Sequence, residues 1–91
     1  MIYEYDRKKN DANKAKHKID FEEAITIFED PDLLLSFDRV IKGEERYLAV
    51  GHSLKANHLL VVHCYREKNT EEITRIISAR KLTKNEEKEL G

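Results

Sequence analysis

The sequence predicts an α+β domain: an antiparallel sheet with two helices on its N-terminal side and a short helix at its end. Three observations carry that prediction. Helical signals fall in the first third of the chain and in its last residues. Between them, runs rich in Val, Ile, Leu and Tyr follow one another, separated by short polar stretches holding Asn, Ser or Gly, the pattern of consecutive strands. Connections that short point to antiparallel neighbours, and helices segregated to one side make α+β. The 91 residues form one domain, 1–91.

Ile2 to Tyr5 is a short β-prone run. Asp6 follows as an N-cap, its carboxylate accepting from the orphan N–H groups of a first helical turn. That helix is expected to reach about His17. Its apolar stripe is thin, made of Ala12, Ala15 and Ile19, and the small alanines are expected to let it approach its neighbour closely. Lys9, Asn13 and Lys16 recur at intervals of four and three and form a polar row along one edge. Such a row is either a solvated face or a set of groups held beside the body. After a turn at Lys18 and Ile19, Asp20-Phe21-Glu22-Glu23 reads as a capping box. Phe21, Ala24, Ile25 and Phe28 then follow at i, i+3, i+4 and i+7, a core face. Burying each large side chain there contributes about 1.5–3 kcal/mol. Pro31 ends the helix by Asp30.

Leu33 to Phe37 reads as extended, and Asp38 to Gly43 as a polar connection. Arg46 to Gly51 is a strand with Arg46, Leu48 and Val50 on one face. A turn from His52 to Asn57 leads into a strand from His58 to Tyr65, then a charged loop from Arg66 to Glu71. The strand that returns from Ile73 ends in Arg75-Ile76-Ile77-Ser78-Ala79-Arg80. Strict alternation puts Arg75, Ile77 and Ala79 on one face and Ile76, Ser78 and Arg80 on the other. A guanidinium beside a hydroxyl at a strand end suits an anion; an arginine that snorkels to solvent or pairs with a carboxylate fits the same residues. Thr83-Lys84-Asn85-Glu86 is a second capping box. It starts a short helix with little apolar content beyond Leu82 and Leu90, expected to be the least stable element.

Charged residues make up 38% of the chain, yet acids and bases nearly cancel at a net charge of -1. That argues against a generally sticky nucleic-acid binder but leaves room for a local basic site. The lone Cys64 sits in an apolar run and should pack as a small hydrophobe. No Cys/His cluster has zinc spacing, no stretch has the length of a membrane span, and the N-terminus lacks the regions of a signal peptide. A cytoplasmic protein without a membrane partner, cofactor or metal site is expected.

Taken in order, Glu4-Tyr5-Asp6, Lys9, Asn13, Lys16-His17, Phe21-x-Glu23-Ala24, Phe28-x-Asp30, Glu45-Arg46, Gly51, Leu60-Val61-Val62, Arg75-Ile76-Ile77-Ser78-Ala79-Arg80, Thr83 and Glu87 resemble the BrnT family of toxins from bacterial type II toxin–antitoxin systems. The resemblance spans almost the whole chain. It implies a RelE-like fold, a metal-independent ribonuclease that inhibits translation, and a BrnA-type antitoxin partner. The toxin–antitoxin complex would bind operator DNA mainly through the antitoxin. Two departures stand out. The family often has glycine where this chain has Lys18, and the last helix here is acidic, with Glu86, Glu87 and Glu89.

RNA is cut without a metal when its own 2′-hydroxyl attacks the adjacent phosphate. The reaction needs a base, an acid and cations for the phosphorane charge. Counting the resemblance, Arg46 and Arg80 are the expected catalytic cations and His17 the proton-transfer group. Lys9, Asn13, Lys16 and Ser78 are the expected substrate contacts. His63 lies mid-strand among apolar residues and reads as buried; His52 and His58 flank a turn and read as solvent-facing. A competing reading is a non-catalytic α+β module whose purpose is to hold a partner peptide.

Overall fold

The computed structural model describes residues 1–90. In chain order the elements are β1 (Ile2–Glu4), α1 (Arg7–His17), α2 (Phe21–Ile25) running into a 3₁₀ turn (Thr26–Glu29), β2 (Leu34–Ile41), β3 (Glu44–His52), β4 (His58–Lys68), β5 (Glu71–Lys81) and α3 (Lys84–Leu90). The α+β class is as expected. The sheet, however, is mixed. Its five strands run in the order β1-β5-β4-β3-β2, and β1 lies parallel to β5, Tyr3 opposite Thr74. The remaining pairs are antiparallel. A parallel neighbour needs a long crossover, and here nearly the whole chain supplies it.

Two stretches expected as loops are strand. Asp38 to Ile41 continues β2, and Arg66 to Lys68 continues β4. Each hairpin closes on two residues with positive φ: Lys42 (51°) and Gly43 (80°), then Asn69 (53°) and Thr70 (67°). Tight turns of that hand match the strand twist, so the ladder runs up to the turn whatever the side-chain polarity.

One sheet face carries the core. Ile19, Phe21, Ala24 and Ile27 pack there on Ala49, Leu59, Val61, Ile76 and Ala79. The second helix departs from the expected spacing because it tightens into the 3₁₀ turn. Period three then aligns Phe21, Ala24 and Ile27, and Ile25 and Phe28 are only partly buried. Glu23 does not close a capping box. Asp20 caps Glu22 N–H alone, while the Glu23 carboxylate accepts from Ser53 Oγ and Asn57 Nδ2, both at 2.7 Å, and so ties α2 to the β3–β4 turn. Gly51 lets the chain pass close by: a Cβ there would lie 3.3 Å from Ile27 Cβ and 3.2 Å from Leu33 Cδ1.

α1 docks through polar groups rather than alanines. Ala12 and Ala15 are exposed, and the buried residues of the helix are Asn10 and Asn13. Asn10 Oδ1 accepts from Phe21 N–H at 2.9 Å, and Asn10 Nδ2 donates to Asp20. Asn13 Nδ2 donates to the carbonyls of Ile19 and Ala79, and its Oδ1 accepts from Ala79 N–H. β1 covers β5 only from Ile73 to Arg75; beyond that point the Asn13 carboxamide stands in for a strand. This fastens the C-terminal turn of α1 to the edge of β5. Lys18, in the left-handed conformation at φ 62° and ψ 25°, ends the helix. Glycine favours that conformation, which accounts physically for the departure noted at this position.

Candidate functional site

The other sheet face is open, and a bulge decides what it presents. Val62 pairs with Ser78, but His63 pairs with Ile76, so Ile77 is an extra residue in β5. Alternation breaks there. Ile76 and Ala79 both face the core, and Arg75, expected opposite Ser78 and Arg80, falls on their side. A second bulge at Asp38 of β2 brings Asp38 and Arg39 to this face together.

The result is an open groove of about 450 Å³. Its floor is Leu48, Leu60 and Val62. Ser78 and Arg80 line it from β5, Lys16 and His17 from the end of α1, Asp38 and Arg39 from β2, and Glu86 from α3. Four expected site residues, Lys16, His17, Ser78 and Arg80, therefore meet across about sixty residues of chain. The Asn13 clamp makes this possible, since it holds the α1 terminus against Ala79, between Ser78 and Arg80.

Arg80 is not bare. Its two terminal nitrogens make a fork on the Glu86 carboxylate, at 2.6 and 2.9 Å. The guanidinium, then the backbone N–H of Thr83, hold the Glu86 carboxyl down at about 2. Its hydrogen bond to Glu86 in turn raises Arg80. Glu86 also completes the second capping box: Oε1 accepts from Thr83 N–H at 2.9 Å, and Thr83 Oγ1 accepts from Glu86 N–H at 3.1 Å. α3 buries no side chain of its own, so this one carboxylate both caps the helix and moors it.

The other expected residues lie elsewhere. Arg46 shares the open face but does not line the groove. It sits beyond Leu48, part-buried, with Nε 3.5 Å from Glu44 Oε1, too poorly directed to count as a hydrogen bond. Lys9 is exposed near the start of α1, two turns from His17. Asn13 is buried and committed to backbone. Arg75 pairs with Glu4 at 3.1 Å, and Arg66 shares that carboxylate. Arg75's hydrogen bond is the main cause lowering Glu4. His63 is fully buried, its Nε2 3.1 Å from the Tyr65 hydroxyl, and burial keeps it below the usual histidine range. His52 and His58 stack across the β3–β4 hairpin with centroids 4.2 Å apart. Cys64 is a buried free thiol, raised by burial.

Sequence reasoning missed Asp38, Arg39 and the role of Glu86. The first two were hidden by reading Asp38 to Gly43 as loop. Glu86 did carry a signal, because a glutamate at the third position of a capping box reaches back toward the strand end that precedes the helix. No group of three or more His, Cys, Asp or Glu side chains able to hold a metal occurs among the described residues. No helix among them is long and apolar enough to cross a membrane.

The groove thus sets Lys16, Arg39, Arg80 and the His17 imidazole around an apolar floor, with the carboxylates of Asp38 and Glu86 among them. The family model described as "Ribonuclease toxin, BrnT, of type II toxin-antitoxin system" matches residues 5–86, and the chain belongs to this family. The crystal structure of the Brucella abortus ribonuclease toxin BrnT superposes with a TM-score of 0.61 at 18% identity, covering 92% of this chain and 100% of that one. The shared fold is thus a ribonuclease toxin's α+β fold. No curated protein sequence matches the chain.

Proposed function

We propose that this protein cleaves RNA without a metal ion, thereby inhibiting translation in the cytoplasm, and is neutralised by a BrnA-type antitoxin. In this reading the fold is RelE-like, and operator DNA is bound only through the antitoxin complex. One observation carries the chemistry: Lys16, His17, Ser78 and Arg80 converge on a single groove.

The 2′-hydroxyl attacks its own 3′-phosphate. The O2′–P bond forms as the P–O5′ bond breaks, a base takes the 2′ proton and an acid protonates the leaving 5′ oxygen. Arg80 offers a bidentate fork to the phosphorane oxygens. His17, half-exposed at the end of α1, is the group that moves a proton near neutral pH. Lys16 and Ser78 hold the phosphate, and Arg46 adds positive charge from the same face. Lys9 meets the RNA further along its backbone. Asn13 acts at one remove, by fixing the helix end that carries Lys16 and His17.

The test is Arg80→Ala. Losing one charge-assisted contact to the transition state should cost about 2.7–4 kcal/mol, a factor of about 10²–10³ in rate. Induced expression of this variant should no longer arrest growth or deplete mRNA, while thermal unfolding stays cooperative. Full toxicity in soluble Arg80→Ala would remove the groove from the reaction. A partner-binding module is the second reading, and one observation favours it: Leu34, Leu35, Phe37 and Val40 of edge strand β2 are about half exposed. That surface is equally what an antitoxin would cover. Intact mRNA throughout induction of the wild type would leave the module reading alone.

A further inference from the structure

We propose that Glu86 holds the substrate's place: RNA binds by exchange, its phosphate taking the Arg80 fork from the Glu86 carboxylate, and that exchange uncaps α3. The proposal rests on reading the groove as an RNA site and adds how the site is entered.

Both terminal nitrogens of Arg80 face the Glu86 oxygens, and among the described residues the guanidinium's one other hydrogen bond is a long one, 3.3 Å from Nη1 to the Lys81 carbonyl. The Nη1/Nη2 edge takes one bidentate acceptor at a time, two oxygens of a carboxylate or two of a tetrahedral phosphate. They therefore compete. A phosphate seated between Arg80, Ser78 and Lys16 with Glu86 still in the groove would lie against a second anion.

The exchange has a structural consequence. The Oε1 atom that meets Arg80 also accepts from Thr83 N–H. When the carboxylate leaves, that N–H loses its partner and the capping box opens. Among the described residues little else holds the helix: the Thr83 hydroxyl still accepts from Glu86 N–H and Leu90 lies near Leu34 and Val50, but none of the helix's side chains is buried, and the apolar anchor, Leu82 with Val50 and Leu60, lies before it. Substrate binding and order in α3 are thus linked in opposite directions.

The probe is a short, mixed-sequence 2′-O-methyl RNA, which lacks the attacking hydroxyl. Its affinity is read by fluorescence anisotropy for the wild type, Glu86→Gln and Arg80→Ala/Glu86→Gln. Glutamine preserves the cap geometry and removes the competing charge. Glu86→Gln should bind about fivefold more tightly than the wild type, the factor set by releasing a partly exposed ion pair. The double variant should lose that gain. Hydrogen exchange on the wild type needs no variant: amides 84–90 should exchange faster with saturating probe. Equal or weaker binding by folded Glu86→Gln, or added protection in α3 on binding, would overturn the exchange and leave the ribonuclease reading standing. No binding by any folded form would overturn the RNA reading, and the exchange with it.

Discussion

Replacing Asn13 with leucine keeps the branching at Cγ, adds bulk and removes every polar atom of the side chain. Three hydrogen bonds then disappear: 2.8 Å to the Ala79 carbonyl, 2.9 Å to the Ile19 carbonyl and 3.1 Å from Ala79 N–H. All three are buried, so water does not replace them. Each bond contributes about 0.5–1.5 kcal/mol net, and more where the abandoned partner stays dry. The sum is about 3 kcal/mol. For a domain of this size 1 kcal/mol shifts Tm by about 4–8 °C, so Tm should fall by about 12–24 °C. Circular dichroism melts give that number directly. RNA cleavage should be followed in parallel at a temperature where the variant is still folded. There it should fall less steeply than in Arg80→Ala, because the leucine variant displaces Lys16 and His17 rather than deleting them. A Tm within about 4 °C of the wild type together with abolished cleavage would refute this reasoning and make Asn13 a substrate contact.

Acid should unfold the protein partly through Glu86. Its carboxyl is lowered from 4.5 to about 2 in the folded state, so its contribution is complete above about pH 4.5 and is lost as pH falls from there toward 2. After allowance for solvent screening that contribution is about 1–2 kcal/mol. Tm against pH should be flatter over this window in Glu86→Gln, and an unchanged slope would contradict the pairing. Lys18→Gly should raise Tm by about 4–8 °C: a left-handed lysine costs about 1–2 kcal/mol, glycine's greater freedom in the unfolded chain offsets part of that, and about 1 kcal/mol remains; a lower Tm would place the strain elsewhere.

Much of the fold could be read from residue pattern alone, for reasons that can be named. Asp6, Asp20 and Thr83 announced helix starts because short polar side chains satisfy first-turn N–H groups. Pro31 announced a stop. The β3 face of Arg46, Leu48 and Val50 followed from period two. What failed was whatever depends on partners distant in sequence. The β5 bulge opposite Val62 and His63 is a property of two strands, and it moved Arg75 to the groove side. The parallel seat of β1 depends on where β5 ends up. α1 looked like a helix that docks by alanines because Asn13 has no apolar signal; its role appears only when Ala79 is beside it. The groove was legible in its parts, Lys16, His17, Ser78 and Arg80, but not as one place. Glu86 was legible as a cap and not as the partner of Arg80.

The most direct test of the central claim is cleavage of a defined RNA by purified protein in excess EDTA, with the ends of the products identified. Attack by the 2′-hydroxyl, with Arg80 and His17 doing the work, predicts undiminished cleavage in chelator, 2′,3′-cyclic phosphate termini, and a loss of about 10²–10³-fold in Arg80→Ala. Activity that disappears in EDTA and returns with magnesium, or upstream fragments that end in a 3′-hydroxyl at the cleavage site, would contradict it.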